Sequence, residues 1–545
     1  MKTRTSVIVL LGVAIMVFAI FCSACSLFNK SDKSPLNEKE QQQFLTSIHF
    51  RNYEGIVAAV EKGADVNVLL NFSGIATEFS SRDKNPAAII LSEFGNDKLF
   101  NYLISQGSDP NYMSDGDLTY LMCFAGDIEQ SQFLLDQGAE INKEKKSMLD
   151  GEKGYTALDN LLSHSHYLDD QKNLAAVEFL LENGARLNDT SLQAVIGDSS
   201  SGDNYVMTQH VLKKLQDSGQ RYEIDPILEA VIDGESEEVV SLIKTQGLPK
   251  DKTLQSKILY HSIAFGSVET VELILEQTDI EEDYQDAAGN THLRIAAGYN
   301  DQKMIEFFYN RHPNKLEKRN SASLTALGMA LVRSKFDNAE YLLSIGAEFK
   351  FPNDLLSNVV AVNNMEALQF MLDHGYQMTD ERAFNAMGAA IDSYQLGMLK
   401  YFVEQGYSVN FKPEDVDDDS LLAASCLYPS AKEEIVEYLL QQGADPDGAY
   451  GRGDPLNDAV CAQNLEISKL LVDYGADVNL EVLFFDGSTA GIPLYNAIMF
   501  GELDIVKLLV ENGATVDDKV LDYAREQAEF FGAIRIYDYL ESAKK

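Results

Sequence analysis

The sequence predicts an all-α repeat fold, a solenoid of helix-turn-helix units. The first observation is a motif of paired leucines and a glycine that occurs six times: LLDQGAEIN at Leu134, LLENGARLN at Leu180, LLSIGAEFK at Leu342, LLQQGADPD at Leu439, LLVDYGADVN at Leu470 and LLVENGATVD at Leu508. The second is spacing, because the glycines at 346, 375, 406, 443, 475 and 513 are 29 to 38 residues apart. A fixed period of this length indicates stacked structural repeats.

The first helix of a repeat carries start signals. Pro226, Pro455 and Pro493 fit the first helical position, where the missing N–H costs nothing. Thr291 and Thr325 fit as helix caps just before that position. These residues predict where five of the first helices begin.

The helices also carry packing signals. Small side chains let first helices stack closely, at Ala296, Ala297, Ala330, Ala459 and Ala497. In a second helix, apolar residues recur at helical spacing from Ile505 to Leu509, and Gly513 supplies the left-handed residue that ends it. No repeat buries its apolar face alone, so we expect the repeats to fold as one stack.

The repeated text resembles the ankyrin repeat, whose consensus carries Thr-Pro-Leu-His, then Ala-Ala, then a Leu-Leu helix ending in Gly-Ala-Asp. The most similar copies are IPLYNAIMFGELDIVKLLVENGATVD from Ile492, DPLNDAVCAQNLEISKLLVDYGADVN from Asp454 and NTHLRIAAGYNDQKMIEFF from Asn290. The resemblance implies helix pairs joined by β-turn or hairpin fingers. It also implies binding of other proteins through those fingers and the concave face of the first helices.

The repeats organise the chain. We expect about fourteen of them in residues 42–517, with the copies near 191–247 the most degraded. Residues 518–545 follow as a helical cap, because Arg525, Glu526, Glu529 and Arg535 stand among its apolar residues and would close the end of the stack with a polar surface.

The N-terminus predicts an export signal. Lys2 and Arg4 precede the apolar stretch from Val7 to Phe21, and small residues follow. This stretch of fifteen residues is short of the ~20 that span a bilayer comfortably. A retained single-span anchor and a plain secreted protein remain as alternatives.

The stretch Cys22-Ser23-Ala24-Cys25 resembles the bacterial lipoprotein signal, in which small residues precede a lipidated cysteine. The resemblance implies that residues 1–24 are removed and that Cys25 carries the lipid, followed by a polar linker over 25–41. One departure is Cys22, which stands where Leu is usual. Ser26 after the acceptor is typical of outer-membrane sorting, so we expect an envelope protein held by lipid on the periplasmic side of the outer membrane.

The charge is strongly acidic, with 44 Lys and Arg against 85 Asp and Glu, a formal net charge of −41. Such a charge argues against nucleic acid as a partner. It keeps the surface soluble and self-repelling, which favours a monomer, and it can steer a basic protein partner.

Insertions between repeats are candidate binding loops. One of them, FKPEDVDDDS from Phe411, predicts an acidic finger for a basic partner, with the residues Glu414, Asp415, Asp417, Asp418 and Asp419. The aspartates copy the start of a calcium loop, but the turn glycine is missing and Cys426 replaces the closing glutamate, so an EF-hand is excluded.

Two other groups of residues are candidates for a metal site or a disulfide. The cluster His164, His166, Asp169 and Asp170 lacks a second ligand pair at fixed spacing, so a solvated loop is the simpler interpretation and no metal or cofactor is predicted. Cys426 and Cys461 occupy equivalent places in consecutive repeats, where helices lie about 8–10 Å apart, too far for a disulfide. We expect free, buried thiols.

No catalytic motif is found in the sequence. It contains no HExxH, no GxSxG and no phosphate-binding glycine loop, and its eight histidines are scattered. We therefore expect a non-catalytic interaction scaffold. The alternative is an immunity protein that neutralises a periplasmic toxin, and an enzyme comes third.

Overall fold

The computed structural model describes residues 36–69, 84–94, 97–113, 118–145, 156–164, 170–187, 189–196, 205–219, 222–280, 289–349, 352–412, 420–426, 432–448, 454–483 and 489–544. The predicted signal and Cys25 lie outside them. The chain divides into two compact units. Unit 1 combines the described residues before 115 with those from 408 onward, and unit 2 comprises those in between.

Unit 1 begins with four helices: α1 Glu38–His49, α2 Tyr53–Glu61, α3 Pro86–Phe94 and α4 Asp97–Ser105. Its C-terminal part adds α23 Leu421–Cys426, α24 Glu433–Gln441, α25 Pro455–Cys461, α26 Leu465–Asp473, the strands β1 Val482–Leu483 and β2 Thr489–Gly491, and the helices α27 Pro493–Met499, α28 Leu503–Glu511, α29 Asp518–Phe531 and α30 Arg535–Ala543. First helices of successive repeats stack on one another, as α25 does on α23 and α27.

Unit 2 contains α5 Tyr120–Cys123, α6 Ile128–Asp136, α7 Ala157–His164, α8 Asp170–Glu182, α9 Asp189–Ile196, α10 Tyr205–Ser218, α11 Pro226–Ile232, α12 Ser236–Gln246, α13 Lys252–Phe265, α14 Val268–Gln277, α15 His292–Tyr299, α16 Gln302–Arg311, a 3-10 turn at Pro313–Lys315, α17 Ala326–Val332, α18 Phe336–Ser344, α19 Pro352–Ala361, α20 Met365–Asp373, α21 Asp380–Asp392 and α22 Leu396–Glu404. Even the degraded copies near 191–247 form helix pairs.

The start signals in the sequence are confirmed. Helices α11, α25 and α27 begin at the three prolines that were predicted to start them. The Thr291 side chain accepts a hydrogen bond from the Arg294 N–H at 3.3 Å, and Thr325 accepts one from Gly328 at 3.2 Å. These contacts satisfy amide groups that the first turn of a helix leaves unpaired.

The packing signals are confirmed as well. The five alanines named above are fully buried, as are Ile505, Val506 and Leu509 of α28, whereas Leu508 is only partly buried. Gly513 has φ +98°, the left-handed conformation that ends α28. The all-α repeat fold predicted from the sequence is therefore correct.

Two features go beyond the sequence expectations. Helix α1 begins at Glu38, earlier than the boundary at 42, and is capped by Asn37, whose side chain and backbone exchange hydrogen bonds with Glu40. Helix α1 also packs against α29 of the C-terminal cap. The two ends of the repeat region therefore meet inside unit 1, a contact that an open stack of repeats does not make.

One of the fingers that the resemblance implies, the one that precedes α27, contains two short β-strands. Strands β1 and β2 pair antiparallel, with Val482 opposite Gly491 and Leu483 opposite Thr489. The chain therefore forms a hairpin at this finger, as the resemblance implies.

Candidate interaction surface

The fingers that connect one repeat to the next are held to each other by asparagine side chains. Asn479 donates from Nδ2 to the Gly513 carbonyl at 3.1 Å and accepts at Oδ1 from the Thr515 N–H at 2.9 Å. Asn410 does the same with Gly443 at 2.7 Å and Asp445 at 3.1 Å. A side-chain amide is both donor and acceptor, so one asparagine satisfies two backbone groups of the next finger.

The same bridge recurs nearer the N-terminus of the chain. In unit 1, Asn67 pairs with Gly107 and Asp109. In unit 2, Asn142 pairs with Gly184 and Arg186. These asparagines were not among the residues predicted from the sequence, although they share a local signal: each lies four positions after the glycine that ends a second helix, at Asn67, Asn142, Asn410 and Asn479.

Four consecutive fingers of unit 1 are joined in this way. Between the two asparagine bridges, Asp447 provides the third link, because its Oδ1 accepts a hydrogen bond from the Asp477 N–H at 2.6 Å. We call this set the acidic finger row and define it by the described residues 408–412, 443–448, 475–481 and 513–517. The links hold the backbones of neighbouring fingers in register.

The charged side chains of the acidic finger row are mostly negative. Its described residues contain one lysine, Lys412, against five carboxylates: Asp445, Asp447, Asp477, Glu481 and Asp517. All of these carboxylates are exposed except Asp447, which is half-buried. Negative charges fixed on adjacent fingers add their fields and attract a basic surface.

The acidic finger predicted from the sequence follows the described part of the first finger along the chain. Its residues Glu414, Asp415, Asp417, Asp418 and Asp419 lie outside the described residues. The described residues next to them include Asn410, which makes the first bridge of the row. The acidic finger at these residues stays a prediction, and the described carboxylates lie on the three fingers that follow.

Asp454 follows the second finger along the chain and caps the N-terminus of α25. Its Oδ1 accepts from the Leu456 N–H at 3.0 Å and from the Asn457 N–H at 3.3 Å. Its Oδ2 is buried and has no hydrogen-bond partner in the described part of the chain. Burial first, and then the charges of Asp447 and Asp477, raise the pKa of Asp454 to about 6, against the helix amides that lower it. A carboxylate with its second oxygen unsolvated is costly to charge.

The cluster from His164 to Asp170 falls largely outside the described residues. His166 and Asp169 lie outside the described residues, and of His164 and Asp170 only the helical backbone is described. Within the described ranges, no group of three or more His, Cys, Asp or Glu residues is arranged to hold a metal. The same ranges contain no helix that is long and apolar enough to cross a membrane.

The three described cysteines are free thiols. Cys426 is buried and Cys461 is partly buried, so burial raises the pKa of both, that of Cys461 to about 12. This agrees with the expectation of free, mostly buried thiols in consecutive repeats. Cys123 differs because it is the last residue of the short helix α5 and is exposed.

Comparison with known proteins supports the resemblance for one part of the chain. A family model described as "Ankyrin repeats (3 copies)" matches residues 386–482. These residues are ankyrin repeats. The ankyrin segment runs from within α21 to the start of β1 and contains the first three fingers of the acidic finger row. No curated protein matches the chain. Ankyrin repeats are typical of protein-protein interaction modules without catalytic activity, so binding of proteins is the general function that the match supports.

Proposed function

We propose that this chain is a non-catalytic scaffold, tethered to a bacterial envelope through lipidated Cys25, which binds a basic protein through the acidic finger row. One observation carries the proposal. Four fingers are hydrogen-bonded in register and present five carboxylates against one lysine. Ankyrin segments bind through surfaces of this kind, and nothing in the row resembles a reaction centre.

The arrangement of charges in the acidic finger row favours binding of a partner more than it favours stability of the free protein. Like charges on neighbouring fingers repel one another, at a cost that the bridging hydrogen bonds offset. A basic partner would relieve this repulsion, and its association would be fast at low salt. The attraction is screened over a Debye length of about 8 Å at physiological ionic strength. Binding should therefore weaken as salt is added.

The binding surface can be tested in the bacterium that makes the protein. A photocrosslinking residue placed at Asp477, on a finger of the row, should capture a protein. The same residue at Glu466, an exposed acidic position on α26 of the same repeat, is the matched control. Capture at 466 and not at 477 would refute the finger surface.

The tether needs its own test, because Cys25 lies outside the described residues. The protein should incorporate a labelled fatty acid, and Cys25→Ala should abolish the label while Cys22→Ala keeps it. A labelled Cys25→Ala protein would refute the assignment of the acceptor. Outer-membrane sorting is tested by the density at which the lipidated protein sediments among separated membranes.

The inhibitory alternative makes a narrower prediction. If the partner is a basic toxin, its activity should fall when the protein is added and return at high salt. A captured partner that keeps its activity in the complex favours a scaffold over an immunity protein.

A further inference from the structure

The ends of the repeat region meet in unit 1 at a contact that we call the terminal joint. On one side lie α1, α2 and the first turn of α4, and on the other lie the turns and helices from Gln463 to α30. The Tyr53 N–H donates to the Phe500 carbonyl at 2.7 Å. Asn52 donates from Nδ2 to the Met499 carbonyl, also at 2.7 Å. These hydrogen bonds join residues more than four hundred positions apart in the chain.

Polar and aromatic side chains extend the joint. Gln463 donates from Nε2 to the Arg51 carbonyl at 2.9 Å, and Gln43 donates from Nε2 to the Glu529 carbonyl at 2.8 Å.

Aromatic rings also pack across the joint. The Phe50 ring lies 5.9 Å from that of Phe530 and 6.0 Å from that of Phe531, centroid to centroid. Opening of the joint would expose these aromatic rings to water, so their burial favours the closed joint.

Glu54 contributes a buried carboxylate to the joint. The residue is only 4% exposed. Its Oε1 accepts from the Arg535 N–H at 2.6 Å and its Oε2 from the Ile536 N–H at 3.4 Å, at the start of α30. A carboxylate from α2 therefore caps the last described helix of the chain.

Glu502 contributes the second carboxylate. It is 3% exposed, and its Oε2 lies 2.5 Å from Nζ of Lys98 on α4. Its Oε1 is buried and has no hydrogen-bond partner among the described residues. The ion pair crosses the joint, because Glu502 precedes α28 and Lys98 belongs to the N-terminal part.

The joint therefore holds two carboxylates away from water, one with an oxygen that nothing solvates. Burial of a charged carboxylate is unfavourable unless its partners offset the loss of hydration, whereas burial of a neutral carboxyl group is much less so. When the joint opens, both groups return to water and the cost is removed. The charge state of Glu54 and Glu502 is thus coupled to the opening of the joint.

We propose that the terminal joint is a proton-operated latch, which closes more tightly in mild acid and opens more readily at neutral and alkaline pH. The proposal is independent of the binding partner and concerns only the contact between the two ends of the repeat region.

The direction of the pH dependence follows from the surroundings of each carboxylate. Burial is the largest influence and raises the pKa of Glu54; Asp538 raises it too, while Arg535 and the amides of α30 lower it. Burial also raises the pKa of Glu502, as does Asp504, against Lys98. The closed joint therefore binds protons more strongly than the open one. This stabilisation is complete below the ordinary carboxyl pKa and is lost as the pH rises through the raised values.

Other titratable groups of the joint act differently. Burial raises the pKa of the Tyr53 and Tyr102 phenols, so both stay neutral through the physiological range. Burial lowers the pKa of His49, at the end of α1, so acid acts against the joint through this residue. Because His49 is unchanged in every variant below, the comparison isolates the two carboxylates.

The experiment is amide hydrogen exchange of the full-length protein from about pH 5 to about pH 8, divided by the intrinsic rates. The opening constant for α1, α2 and α30 should rise by about threefold or more across this range, while α13 of unit 2 serves as the internal reference. In the double variant Glu54→Gln and Glu502→Gln, neutral amides replace the acids and the rise should disappear. The control Glu526→Gln, an exposed acid of α29, should keep the rise.

Two outcomes overturn the latch. One is an opening constant in the wild type that does not change or falls with pH, and the other is a double variant that keeps the full rise. If the double variant does not fold, Lys98→Met provides the second test. Loss of the ammonium leaves Glu502 without its cation, so the joint should open more at neutral pH and the rise with pH should steepen. A Lys98→Met protein with the wild-type profile contradicts the proposal.

Discussion

The Glu54 carboxylate accepts a hydrogen bond from the backbone N–H of Arg535 and lies 3.7 Å from the Nε of the same residue. The two residues belong to the first and the last helix pairs that the structure describes. One acidic side chain thereby satisfies the orphan amides of a helix that belongs to the opposite end of the repeat region. The contact gives the C-terminal cap a partner inside unit 1.

The close approach of Gly501 to the N-terminal helices predicts a stability effect. Gly501 has φ +70°, and a Cβ there would lie 2.5 Å from Oδ1 of Asn52 and 2.7 Å from the Glu54 nitrogen. Gly475, in the same unit, has φ +99° and no atom near its would-be Cβ, so Gly475→Ala is the matched control. We expect Gly475→Ala to cost about 1–2 kcal/mol and Gly501→Ala about 1–3 kcal/mol more, measured by denaturant unfolding. Equal costs would contradict the tight packing of the joint.

The asparagine bridge of Asn479 predicts a local effect on the fingers. Asn479→Ala removes both hydrogen bonds to the next finger and should cost about 1 kcal/mol, because water replaces them at an exposed site. The Thr515 amide should exchange faster with solvent. Asn512→Ala is the control, since the Asn512 side chain donates only to Leu508 of its own helix in the described structure. If both variants leave the Thr515 exchange rate unchanged, the bridge does not hold the finger.

Asp454 predicts a pH dependence. Its pKa is raised to about 6, so its contribution to stability is largest in acid and is lost as the pH rises through about 6. Asp454→Asn keeps a good helix cap without the charge. Relative to the wild type, we expect the variant to gain about 2 kcal/mol of unfolding free energy between about pH 4 and about pH 7. A difference that stays constant with pH, measured by denaturant unfolding, would show that Asp454 is not strained by its charge.

The thiols predict a pattern of chemical reactivity. A maleimide reagent should label Cys123 in the native protein, because this residue is exposed, and should leave Cys426 unlabelled until the protein is denatured. Cys461 should react slowly, since its raised pKa leaves little thiolate. Peptide mapping by mass spectrometry gives the labelled sites. A disulfide between Cys426 and Cys461 in the non-reduced protein would contradict the prediction.

Structural features that depend on residues close together in the chain can be predicted from the sequence. Pro455 starts a helix because its ring and missing N–H suit the first position, and Ala459 is buried because a small side chain lets first helices stack. These effects act within one repeat or between adjacent repeats. The repeated sequence motif therefore predicts where helices start, which of their faces are buried and that the fold is all-α.

Other features depend on contacts between distant parts of the chain. Nothing in the text around Asn52 indicates that its side chain meets Met499, because such a contact depends on how all the intervening helices stack. The spacing of the repeats in the sequence likewise gives no indication that the chain divides into two units. The Asn410 and Asn479 bridges lie between these cases: they follow a fixed spacing after glycine, but only the structure shows that this spacing places an amide on the next finger.

The most direct test of the central claim is the yield of the photocrosslinked partner at residue 477 in two forms of the protein. One form carries the native fingers, and the other carries Asp445→Asn, Glu481→Gln and Asp517→Asn. We expect a clear protein adduct with the native fingers and an adduct reduced by about tenfold or more in the neutralised form, because charge pairs set the capture rate. An equal yield in the two forms would contradict binding through the acidic finger row.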